Sequence, residues 1–88
     1  MKTRTKVHPE ENHLLKLAKS GDAYAFVELY DAYVERIYRF VFSRVKNQAA
    51  AEDITLRVFR YGWEHIDRYQ VNNTTFLGWI KKISMCFF

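Results

Sequence analysis

The stretch AAAEDITLRVFRYGWEHIDRYQ, Ala49–Gln70, decides how the rest of this chain must be arranged. At 3.6 residues per turn, Ala51, Ile54, Thr55, Val58, Phe59, Gly62 and Ile66 fall on one side of a helix, and Asp53, Arg57, Arg60 and Glu64 fall on the other. One face suits a core and the other suits water. Gly62 lies on the apolar side, where it costs up to about 1 kcal/mol of helix propensity, so it predicts the close approach of a neighbouring helix. A helix this amphipathic is not stable alone in water, and the flanking segments must supply its partners.

Upstream, Pro9, Glu10 and Glu11 suit the first turn of a short helix whose apolar side is Leu14, Leu15, Leu17 and Ala18, with Gly21 as its C-terminal cap. Asp22 then reads as the N-cap of a long helix on which Phe26, Leu29, Tyr30, Tyr33, Ile37, Phe40 and Val41 recur at steps of three and four. Its tyrosines suit the core or its rim as well as a binding surface. Asn47 can cap the next helix, which gives a connection of one or two residues and an antiparallel neighbour. Downstream, the polar segment DRYQVNNTT, Asp67–Thr75, leads into a fourth helix with Phe76, Trp79, Ile80, Ile83 and Phe87 on one face. No stretch alternates with period two. The pattern predicts an all-α, small four-helix bundle with helices at about 10–20, 22–46, 48–66 and 75–86. Phe26, Tyr30, Ile37, Ile54, Val58, Ile66, Trp79, Ile80 and Ile83 are its expected core.

Eighty-eight residues fit one small domain, more plausibly a binding module than an enzyme with a deep pocket. A hydrophobic share of 49%, with 17% aromatic, is ample for a packed core. Of the formal net charge of +4, Lys2, Arg4 and Lys6 contribute three before the first helix, so residues 1–9 read as a basic flexible tail ahead of a domain at 10–88. Cys86 is the single cysteine, which excludes an internal disulfide. Neither a membrane-spanning run nor the apolar stretch of a signal peptide is present, and the cytoplasm is the expected location.

His8, His13 and His65 are scattered, with no two at the spacing that places metal ligands on one helical face. No phosphate-binding glycine loop and no nucleophile-and-base signature is visible. Catalysis, metal and cofactor are therefore not expected. Two features remain. Asp53–Arg57 and Arg60–Glu64 are four-residue pairs that are either mutually satisfied surface charges or part of a docking face. Arg68, Tyr69, Phe76, Trp79, Lys81 and Lys82 combine aromatics with cations, as a single-stranded nucleic-acid surface requires, although Phe76 and Trp79 also fit the core stripe.

Taken together, Gly21–Tyr33 (GD-x-x-AF-x-x-LY-x-x-Y), the AED–VF–W run of Ala51–Trp63 and the Phe76/Trp79 pair resemble region 2 of bacterial RNA polymerase sigma factors, in the extracytoplasmic-function (ECF) group. The similarity covers about Asn12 to Ser84. It implies a helical module of transcription initiation that docks on the clamp helices of the polymerase β′ subunit and captures unpaired bases of the minus-ten promoter element on the non-template strand. By this resemblance the polymerase-binding residues are Tyr33, Arg36, Asp53, Leu56, Arg57 and Arg60. The DNA-binding residues are Arg68, Tyr69, Gln70, Val71, Asn72, Asn73, Thr74, Trp79, Lys81 and Lys82. An anti-sigma factor is a further candidate partner. The chain departs from the family where Leu56-Arg57 replace the usual Gln-Glu, and where Met85-Cys86 replace an Arg-Asn. The second, minus-thirty-five-binding domain of full members is not expected in these 88 residues. Two other readings stay open: a helical interaction module that binds polymerase or an anti-sigma factor without reading DNA, and a helical domain drawn to duplex DNA by charge alone.

Overall fold

The computed structural model describes residues 11–70 and 74–88; the basic tail lies outside them. Among the described residues there are four α-helices and no strand: α1 (Glu11–Lys19), α2 (Ala23–Val45), α3 (Gln48–Glu64) and α4 (Phe76–Ser84). Short 3₁₀ turns follow α3 at Ile66–Arg68 and α4 at Met85–Phe87. The all-α bundle read from periodicity is the fold that forms.

Local chemistry sets the helix ends. Gly21, at φ 105°, closes α1 with its N–H on Ala18 O and that of Asp22 on Leu17 O, a pairing that needs the left-handed conformation glycine accepts. The Asp22 carboxylate accepts from Tyr24 N and Ala25 N, so it caps α2. Lys46 in the left-handed region and Asn47, whose side chain accepts from Ala50 N, make a two-residue connection from α2 to α3. That forces the two helices to run antiparallel. Accordingly Phe26 meets Trp63 at 5.2 Å between ring centroids and Tyr30 meets Phe59 at 4.9 Å, early residues of one helix against late residues of the other.

α1 packs on α2, and α4 closes the bundle against both α3 and α2. Ala51, Thr55, Val58, Phe59 and Gly62 form the buried face of α3. The Thr55 hydroxyl donates to Ala51 O at 2.7 Å, so its burial leaves no polar atom unpaired. Gly62 is where α4 comes closest: a Cβ there would lie 2.9 Å from Ile80 Cδ1.

The structure corrects the sequence reading in three places. Tyr30, Ile54 and Trp79 are half-buried rather than buried, because the core stripe is narrower than the apolar arc and leaves them at its edge. α3 stops at Glu64, not at residue 66, since His65 leaves helical geometry at φ −119°, ψ 21°. Ile66 still reaches the core from the 3₁₀ turn. α4 stops at Ser84 and tightens into a 3₁₀ turn, with the Ser84 hydroxyl on Lys81 O at 2.6 Å.

Candidate functional site

The seam between α2 and α3 opens into two apolar grooves. One, of about 520 Å³, is lined by Tyr30, Val34, Tyr38, Thr55 and Leu56 among others. The second, of about 290 Å³, includes Phe26, Val27, Phe59, Trp63 and the same Tyr30 and Leu56. Leu56, 58% exposed, therefore stands as a knob between two hollows. Val27, 51% exposed, lines the second groove with it, so the seam leaves an apolar surface open rather than a single side chain. Around it the charges are internally paired. Arg57 Nε lies 2.9 Å from Asp53 Oδ2, and Arg60 Nε lies 3.5 Å from Glu64 Oε2, both pairs well exposed.

Of the residues that the resemblance assigns to polymerase binding, Tyr33 is buried and Arg36 is exposed. Tyr33 is 8% exposed, with its ring 5.8 Å from Phe76 and its hydroxyl donating to the Glu11 carboxylate. Burial first, then the hydrogen bond to Glu11 and the charge of Glu11, push its phenol up to about 12. It ties α1 to α2 and has no face to present. Arg36 is exposed but leans over the Tyr33 ring at 5.7 Å and lines neither groove.

On the other side of α3 lies a groove of about 340 Å³ lined by Tyr61, Trp79, Lys82, Ile83, Cys86 and Phe87. Half-buried Trp79 and exposed Lys82 here join an aromatic ring to a cation, as the sequence suggested. Lys81 does not join them; it leans over Phe40 at 5.3 Å, beside Arg44. Arg68, Gln70 and Thr74 are exposed along the approach to α4. Tyr69 is a correction: at 1% exposure it is buried against Phe76 and Trp79 and offers no stacking surface. Burial, then the charge of Glu11, raises its phenol above the ordinary range. Val71, Asn72 and Asn73 lie outside the described residues.

Tyr61 and Lys19 were not singled out from sequence. Tyr61 is 41% exposed in the α3–α4 groove and stacks on His65 at 3.9 Å; its four-residue spacing from His65 was the available signal. Lys19 bonds backbone carbonyls some fifty positions away, for which no local signal exists. Among the described residues no group of three or more His, Cys, Asp or Glu could hold a metal, and no helix is long and apolar enough to cross a membrane.

Comparison with known proteins adds to this geometry. The family model described as Sigma-70 region 2 matches residues 29–85. The ECF RNA polymerase sigma factor BldN of Streptomyces coelicolor is 34% identical over 71 residues, 81% of this chain and 27% of that protein. The ECF RNA polymerase sigma factor SigW of Bacillus subtilis is 31% identical over 70 residues, 80% of this chain and 37% of that protein. The chain thus spans about a quarter to two fifths of the length of these relatives. No solved structure matches it significantly.

Proposed function

The chain belongs to the Sigma-70 region 2 family, and from that membership we propose that it is a transcription-initiation module that works by binding rather than catalysis. The α2–α3 seam docks on the β′ clamp helices of core RNA polymerase. The α4 side, with the segment before it, captures unpaired minus-ten bases of the non-template strand. Residues 10–88 act as one such module behind a basic tail, and the cytoplasm is where it would operate.

The observation that carries this reading is the separation of two surfaces of different chemistry on α3. Leu56 and Tyr61 are five residues apart, a rotation of about 140° around the helix. The apolar seam and the Trp79–Lys82 groove can therefore be occupied together. Burying an exposed Leu contributes roughly 1.5–3 kcal/mol, enough for Leu56 to anchor the docking. Extruding a base costs a few kcal/mol, while stacking on an aromatic side chain contributes about 1–3 kcal/mol and nearby cations hold the phosphates. Trp79, Lys82 and Arg68 supply those groups.

Titrating the labelled chain with core RNA polymerase, then with a promoter fork carrying an unpaired minus-ten strand, tests the proposal. Leu56→Asp should lose polymerase, and Lys82→Ala should spare polymerase but weaken capture of the fork. A parent chain that binds duplex DNA as well as the fork, and does not bind polymerase, would overturn it.

A further inference from the structure

Lys81 and Lys82 are adjacent on α4, yet only Lys82 borders the groove that holds Trp79. Lys81 turns to a different side of the helix, where its ammonium lies 5.3 Å from the centre of the Phe40 ring. Arg44, one turn along α2 from Phe40, brings its Cζ to 5.2 Å from the same ring and to 5.4 Å from that of Phe88. The two rings are themselves 6.0 Å apart, so Arg44 is held by both. Two exposed cations from different helices thus share one half-buried aromatic ring.

Arginines elsewhere on the bundle are paired: Arg39, Arg57 and Arg60 each meet a carboxylate one turn away. Among the described residues no carboxylate takes up Arg44 or Lys81, and no hydrogen bond occupies either side chain. Held against one ring, the two like charges repel, and a bound anion removes that cost. A guanidinium resting on ring faces keeps its N–H edge open, and that edge matches the oxygens of a phosphate. The rings also order the side chain beforehand, so less rotamer freedom is lost when a phosphate arrives. Because the cations lie over the rings, the patch offers phosphate donors rather than a stacking platform.

The geometry points to a second nucleic-acid contact on the α2–α4 side, in which Arg44 and Lys81 bind backbone phosphates of the strand whose bases enter the Trp79–Lys82 groove. It rests on the base-capturing reading above and adds a surface that holds the strand irrespective of its sequence. Arg44 is not among the residues that the resemblance assigns to DNA. The two surfaces are continuous, because neighbouring α4 positions differ by about 100° and a strand leaving the groove has only the outer side of α4 to cross.

The test titrates the whole chain with labelled oligo-dT, oligo-dA and the duplex they form, by anisotropy over a series of salt concentrations. Each phosphate contact on a single strand adds about 0.7 to the slope of log affinity against log salt. Arg44→Gln and Lys81→Gln should each flatten the slope by about that much and lower affinity about fivefold at about 0.1 M salt, alike on both single strands. Arg44→Lys keeps the charge and should retain the slope. Arg39→Gln removes a charge from the same helix, but from a pair with Glu35, and should also leave the slope unchanged. An unchanged slope in Arg44→Gln or Lys81→Gln, a loss confined to one of the two strands, or an equal flattening in Arg39→Gln or Arg44→Lys overturns the phosphate surface; base capture stands if the parent still prefers unpaired strands. A parent that binds the duplex as tightly as the single strands, with slopes that both glutamine variants flatten, overturns base capture and upholds the phosphate surface. A parent that binds neither overturns both.

Discussion

Gly62 offers the sharpest check on how the bundle is packed. In an exposed helix, Gly→Ala would stabilise by about 1 kcal/mol through helix propensity. Here the added methyl would stand 2.9 Å from Ile80 Cδ1, with Trp79 Cζ3 at 3.7 Å and Ile83 Cδ1 at 3.9 Å on either side. Ile80 is wholly buried, so its methyl has no open space to retreat into. Overpacking of this kind costs roughly 1–3 kcal/mol. The difference predicts that Gly62→Ala destabilises by about 0–2 kcal/mol where propensity alone predicts a gain. Ile80→Val deletes the obstructing Cδ1 and should cost about 0.5–1.5 kcal/mol alone. In the Gly62→Ala background the same deletion relieves the clash, so the double variant should be more stable than the sum of the singles by about 1 kcal/mol or more. Urea denaturation, read as shifts in midpoint at constant slope, measures all four proteins. Additivity within about 0.5 kcal/mol, or a full propensity gain in Gly62→Ala, would refute the close approach of α4 to α3.

Ile37→Ala should cost about 2–5 kcal/mol, while Ile54→Ala, at the edge of the core stripe, should cost roughly half as much; equal losses by denaturation would restore Ile54 to the centre of the core. The folded phenol of Tyr33 lies near 12 against an ordinary 10.0, so in this range only the unfolded chain gives up that proton. Its contribution is therefore complete below pH 10 and is lost as pH rises to 12, by roughly 2–3 kcal/mol. The stability difference between parent and Tyr33→Phe should shrink by that amount across the window, and a constant difference would exclude the shift. At the seam, Arg57→Glu should bind an isolated, basic clamp-helix fragment several-fold more tightly, and Asp53→Ala should bind it less tightly because it frees Arg57; weaker binding by Arg57→Glu would mean that an acidic partner docks there.

The fold was legible because periodicity and capping agree. Asp22 and Asn47 each cap the helix expected of them, and Gly62 marks the close crossing that its place on the apolar face implied. The candidate site was legible only in part. A tyrosine reads alike whether it packs or binds, so Tyr33 and Tyr69 could be placed only by their hydroxyl partners, Glu11 and the Thr74 carbonyl, which spacing does not reveal. Adjacent lysines on a helix are separated by about 100°, which is why Lys82 shares the Trp79 groove and Lys81 does not. Leu56 was visible as a departure from the family pattern, but its role as a knob between two hollows depends on the side chains of α2 facing it.

The two faces also share one set of rings, and this limits how each can change. Trp63 borders the second α2–α3 groove and meets Phe26, which meets Phe76 at 6.0 Å; Phe76 meets Trp79 at 6.2 Å, and Trp79 lines the α3–α4 groove. A domain this small has little interior to set aside for a core independent of its surfaces. Each tryptophan packs with one part of its ring and lines a groove with another. Losing either would remove buried aromatic area as well as groove lining, at a cost of up to about 3–5 kcal/mol. Tyr61 and Lys82 face the same groove without taking part in that chain of rings. Substitution is therefore open at Tyr61, Lys82 and Leu56, while Trp63 and Trp79 are held in place by the packing that both grooves need.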